Sequence, residues 1–139
     1  MAGNERPASV LDASALLAHL NEEKGASVVR EVMAPGAAIS AINWTEVLTK
    51  IAERGEDPEL AAAELRAAGL IGATVRVEPI TDADCIAIAR LRSATKKQGL
   101  SLADRACLAL AERLGVPAVT ADRDWGDVPD LGIPVKLIR

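Results

Sequence analysis

The stretch SLADRACLALAERLGVPAVTADRDW, residues 101–125, carries a complete helix-to-strand unit. Ser101 is a capping residue, Gly115 a stop, and the apolar text between them predicts a helix over 102–114. VPAVT then reads as a short buried strand near 116–120. Two aspartates follow, Asp122 and Asp124. The same device, an apolar strand delivering a carboxylate at its end, occurs in ASVLD, which closes on Asp12.

Outward from these two units, strands and helices keep alternating. SALLAHLNEE and GASVVREVMA read as helices, and a short strand is expected near 37–41. NWTEVLTKIAERG is a helix stopped by Gly55, with Trp44, Val47, Leu48 and Ile51 on one face. DPELAAAELRAAG has Asp57 at the cap, Pro58 at the first position and Gly69 at the end. ATVRVEPI alternates as a strand near 73–78, the helix after it is capped by Thr81, and IPVKLI is the last strand. Short buried strands joined through helices predict a parallel sheet covered on both faces. The expectation is one α/β domain of about five strands over residues 1–139, with residues 1–7 a loose polar lead-in.

Half of the 139 residues are hydrophobic and 26% are charged, which excludes a disordered chain. Phe and Tyr are absent, so the core must be aliphatic around Trp44 and Trp125. A net charge of −4 argues against nucleic-acid binding by bulk charge, though not against an enzyme with local cations. Cys85 and Cys107 form no close pair and are expected as reduced core thiols. The polar start and the absence of any run of ~18 apolar residues predict a cytoplasmic protein.

Chemistry in open α/β sheets collects at the carboxyl ends of the strands. Asp12 and Asp122 end strands there. Asn43 and Glu46 open one following helix, and Asp104 lies in the first turn of another. Each has a local explanation as a cap or turn residue: Asp12 for its helix, Asn43 with Glu46 and Ser101 with Asp104 as capping boxes, Asp122 in a turn. Together they are harder to explain so, because Asp12, Glu46, Asp104 and Asp122 would all project toward one sheet edge. Converging carboxylates repel unless protonated or bridged by a cation. Oxygen ligands with no nearby His or Cys point to Mg²⁺ or Mn²⁺. Such a site suits phosphodiester hydrolysis and needs no protein nucleophile. The single histidine, His19, sits in a helix away from these positions. Ser14, Asn43 and Thr120 are candidates to orient a water or a phosphate. Arg105 and Arg123 each follow an acid and are candidates to pair with phosphate or to neutralise the cluster. Asp124 reads as a turn residue, a weak second-ion ligand or an outer partner of the site. Lys96 and Lys97 read as a solvated helix end or, alternatively, a phosphate patch.

VLDASALL, ISAINWTEVL, GLSLADRACLALAERLG and VPAVTADRDW resemble, in that order, the four signature blocks of PIN-domain proteins, the VapC-type toxins above all. The resemblance spans about residues 9–139. It implies a five-stranded parallel sheet of order 3-2-1-4-5 sandwiched by helices, and a Mg²⁺- or Mn²⁺-dependent endoribonuclease with Asp12, Glu46, Asp104 and Asp122 as its acids. It further implies a toxin–antitoxin role, a VapB-type antitoxin, a homodimer, and tRNA or ribosomal RNA as substrate. Competing readings are weaker. A haloacid-dehalogenase-type phosphatase wants D-x-D where this chain has Asp12-Ala13-Ser14, and a receiver domain wants a late Lys after a strand, whereas Lys136 lies inside one. A PIN-fold nuclease acting on DNA and a non-catalytic PIN interaction module are the remaining alternatives.

Overall fold

The computed structural model describes residues 6–127 and 131–139. Five strands carry the fold: β1 (Ser9–Leu11), β2 (Ala37–Ser40), β3 (Val75–Glu78), β4 (Ala118–Thr120) and β5 (Val135–Leu137). The helices are α1 (Ala13–Leu20), α2 (Ala26–Met33), α3 (Ala41–Glu53), α4 (Pro58–Ala67), α5 (Asp82–Thr95) and α6 (Leu102–Leu114), with a 3₁₀ turn at Arg123–Asp127. The sheet is wholly parallel, in the order β3-β2-β1-β4-β5. Chain order reverses between β1 and β4, so a crevice opens past their carboxyl ends.

Successive strand side chains point to opposite faces, which divides the core into two layers. Leu11, Ile39 and Val119 pack with α1, α2 and α3 on one face. Val10, Ala38 and Ala118 pack with α5 and α6 on the other. Both faces of β1, β2 and β4 are covered, so every residue in them is buried and most are apolar. Each layer receives one tryptophan, Trp44 in the first and Trp125 in the second.

The predicted caps at Thr81, Ser101, Asp57 and Gly115 stand where expected. Three expectations are corrected. Helix α3 begins at Ala41 rather than Asn43, because the buried Ser40 hydroxyl accepts the Asn43 amide N–H and takes the capping role; the Asn43–Glu46 capping box does not form. Cys107 is buried as expected, but Cys85 is exposed. The buried face of α5 is Asp84, Ile88, Leu91 and Thr95, which turns Cys85 outward. Of the expected loose lead-in, residues 1–5 lie outside the described residues, and the remainder is tied down: Pro7 is buried and Arg6 donates to the Leu114 carbonyl.

Asp84 is tolerated inside because Arg113 on α6 reaches it through two hydrogen bonds, at 2.9 and 3.3 Å. Burial pushes its carboxyl up, but the Thr81 amide and the Arg113 guanidinium outweigh this and hold it below the usual range. Arg113→Met strands this charge. Because Arg113 is itself partly solvated, the expected loss is about 2 kcal/mol, below the value for a fully buried pair, read by urea unfolding.

Candidate active site

Asp12 follows β1 and caps α1. Its Oδ1 accepts the Ala15 amide N–H at 2.8 Å and the Ser14 hydroxyl at 2.7 Å. Its Oδ2 accepts the hydroxyl of Thr120, the last residue of β4. The Thr120 oxygen in turn accepts the Asp122 amide N–H at 3.0 Å, and the Ser14 oxygen accepts the Ala121 amide at 2.9 Å. Two hydroxyls thus tie the ends of β1 and β4 together around one carboxylate. Asp12 is only 4% exposed. Burial raises its pKa to about 6, against three hydrogen bonds that lower it and with the nearby Asp104 charge adding to the rise.

Glu46 comes from the second turn of α3 and Asp104 from the first turn of α6, where Asp104 forms the predicted capping box with Ser101. Both carboxyls are raised by burial. The Asp104 charge further raises Glu46, and the Asp122 charge further raises Asp104. All four acids line one cleft of about 200 Å³, together with Ala13, Ser14, Leu17 and Lys50. The four acids singled out in the sequence therefore share one cleft, and the local explanation holds beside this for three of them: Asp12 and Asp104 cap helices and Asp122 accepts a turn bond.

The secondary candidates divide. Ser14 and Thr120 hold Asp12, rather than standing free to orient a water or phosphate. Asn43 is 1% exposed and ties α3 to α6 through a 3.0 Å bond to the Ala103 carbonyl. Arg105 donates to the Ile88 carbonyl at 2.9 Å and pins α6 to α5 instead of entering the cleft. Arg123 and Asp124 are exposed and do not line it; the Asp124 amide closes a turn onto Asp122 Oδ1 at 2.9 Å. Sequence reading missed Lys50. It lies one helical turn beyond Glu46, and that i, i+4 spacing was the available signal.

The cleft sets four acids against one ammonium. Among the described residues no group of three or more His, Cys, Asp or Glu side chains stands close enough together to hold a metal ion as placed. What is present is an open, oxygen-only, under-neutralised pocket. That charge imbalance and donor type fit a hard divalent cation. Thr120→Val removes the hydroxyl that most lowers Asp12. It is expected to cost about 1–3 kcal/mol of stability, read by urea unfolding of metal-free protein.

Fold and cleft together define an α/β protein with an acidic crevice at the sheet's switch point. The chain belongs to the PIN domain family, whose model matches residues 9–131. No curated protein sequence matches it. Among solved structures it is similar to a chain of a toxin–antitoxin complex from Klebsiella pneumoniae (TM-score 0.69, 21% identity, 94% of this chain and 98% of that one). It is similar to VapC20 of Mycobacterium tuberculosis, a sarcin–ricin loop cleaving toxin (TM-score 0.69, 20% identity, 91% and 98%). A chain of DNA-bound VapBC from Salmonella typhimurium also matches (TM-score 0.68, 18% identity, 94% and 98%). At these identities the likeness is one of fold. No helix among the described residues is long and apolar enough to cross a membrane.

Proposed function

We propose that the chain is a Mg²⁺- or Mn²⁺-dependent endoribonuclease, the toxin of a toxin–antitoxin pair, acting in the cytoplasm on structured RNA such as tRNA or ribosomal RNA. The observation that carries this reading is the convergence of Asp12, Glu46, Asp104 and Asp122 on one cleft of a PIN domain. The toxin–antitoxin assemblies among its structural neighbours support a VapB-type partner; the homodimer rests on the resemblance.

Asp12, Glu46, Asp104 and Asp122 would hold the ion. A bound ion would supply Lewis-acid polarisation of the scissile phosphate and would stabilise the negative charge developing on its oxygens. The chain's own contributions are distinct. Asp12 is the fixed anchor, its rotamer set by Ser14, Ala15 and Thr120. Glu46 enters the cleft from an exposed position on α3, where it meets solvent, and we assign it to orient the attacking water. Lys50 tempers the repulsion that the acids present to an incoming phosphate.

The test is purified, antitoxin-free protein with Mn²⁺ on total RNA, with the cleavage ends mapped. Ion-dependent cleavage that ends on chelation is expected. Asp122→Asn should abolish it, whereas Asp124→Asn should lower it by less than about tenfold, since Asp124 lies outside the cleft. No cleavage of any RNA sinks the ribonuclease reading, and cleavage of DNA alone reassigns the substrate.

A further inference from the structure

Positive charge is not spread evenly over this acidic protein. From Cys85 to Ala103 there is no Asp or Glu, and Arg90, Arg92, Lys96 and Lys97 fall within that span. All four are exposed. At 3.6 residues per turn, Arg90, Arg92 and the C-cap Lys96 lie within an arc of about 160° on the outer side of α5, and Lys97 follows in the turn after it. That arc is roughly opposite the buried Ile88, Leu91 and Thr95. Among the described residues none of the four is in an ion pair; Lys24, Arg66 and Arg123 are in none either, but no other stretch between successive acids gathers four cations. Arg92 and Lys96 stand at i, i+4, a like-charge spacing that disfavours the helix. The helix dipole rewards a cation in the last turn by about 0.3–1 kcal/mol. It does not account for Arg90 a turn earlier, or for the absence of any acid.

The patch also has a defined place relative to the cleft. Asp84 meets Arg113, and Ile88 meets Arg105, so α5 and α6 run antiparallel. The basic end of α5 therefore lies beside the first turn of α6, which carries Asp104. Both tryptophans are buried and Phe and Tyr are absent, so no aromatic platform is exposed for base stacking. A single strand entering the acidic cleft must then be held chiefly through its phosphates, and guanidinium and ammonium groups are the side chains that do so.

We propose that Arg90, Arg92, Lys96 and Lys97 form the surface that holds the RNA backbone beside the acidic cleft, an inference that rests on the nuclease reading above. Affinity then depends on salt, at about 0.7 in the log–log slope per phosphate contact of a single strand. The measurement is binding of a fluorescently labelled single-stranded RNA of mixed sequence, across a salt series, in the Asp12→Asn background. K96Q/K97Q is expected to weaken binding about tenfold at physiological salt and to reduce the slope by about 1.4. K96R/K97R should restore both. K24Q/R66Q, which removes the same net charge elsewhere, should change neither.

Equal losses in the two glutamine pairs would mean bulk charge alone, and overturn the proposal. So would an unchanged K96Q/K97Q, or a variant that loses anionic phosphatidylserine vesicles while keeping RNA. If wild type cleaves RNA and K96Q/K97Q binds normally, only the docking surface fails. If no RNA is bound by Asp12→Asn or cleaved by wild type, both readings fail.

Discussion

Asp12→Asn should abolish RNA cleavage while making the protein more stable. The substitution keeps the shape of the side chain. Its amide oxygen still accepts from Ser14 and Ala15, and its NH₂ faces a Thr120 hydroxyl that can turn from donor to acceptor. What disappears is a negative charge held in a site only 4% exposed. The loss in turnover is expected at about a thousandfold or more, several kcal/mol of stabilisation of the reacting phosphoryl group. The gain in stability has a separate cause. With a pKa near 6 in the folded chain, against an ordinary 3.8, the charged form of Asp12 is disfavoured by folding. Keeping it charged at pH 7 costs about 3 kcal/mol by linkage. Removing the charge should raise the metal-free melting temperature by several degrees. Calorimetry at pH 7 decides it: a melting temperature that falls in Asp12→Asn would mean that the carboxylate's hydrogen bonds outweigh its burial.

The second large effect is on pH. An acid whose folded pKa is raised binds more protons in the folded than in the unfolded chain. Stability from that group is full below about pH 4 and is lost as pH climbs toward 6, the value for folded Asp12. Glu46 and Asp104 are raised as well and act in the same direction. Metal-free protein should therefore lose about 3 kcal/mol from this cluster between pH 4 and 7, opposite in sign to acid denaturation driven by salt-bridged carboxylates. Added Mn²⁺ should restore it at neutral pH and have little effect at pH 4, because it binds the charged form. In Asp12→Asn most of the pH 4–6 decline should vanish. A wild-type protein whose metal-free stability rose steadily through that window would contradict the buried-acid account.

Much of this cleft is legible in the sequence. An acid placed directly after an apolar strand, or in the first turn after a cap, has its direction dictated by the backbone, so Asp12, Asp104 and Asp122 could be assigned to one edge. Glu46 needed the apolar stripe of Trp44, Val47 and Ile51 to say which side of α3 it occupies. What local pattern could not supply were partnerships between distant segments. Ser40 and Asn43 are both good caps, and the choice turned on where β2 ends. Cys85 sits among apolar residues and so reads as core, whereas Asp84 takes the buried position through Arg113, 29 residues away. Ser14 and Thr120 were chosen for the right neighbourhood but a different task, since their hydroxyls are consumed in fixing Asp12. The strand order came from the likeness of four sequence blocks to a known family, because nothing within a short buried strand names its neighbours.

The placement of the two tryptophans makes the molecule its own optical probe. Trp44 lies two residues before Glu46 and Trp125 three after Asp122, each buried in a different layer of the core. No tyrosine contributes background emission. Single-tryptophan variants would therefore separate a signal from the α3 side of the sheet from one on the α6 side. Ion loading and unfolding of each layer can then be followed in unlabelled protein.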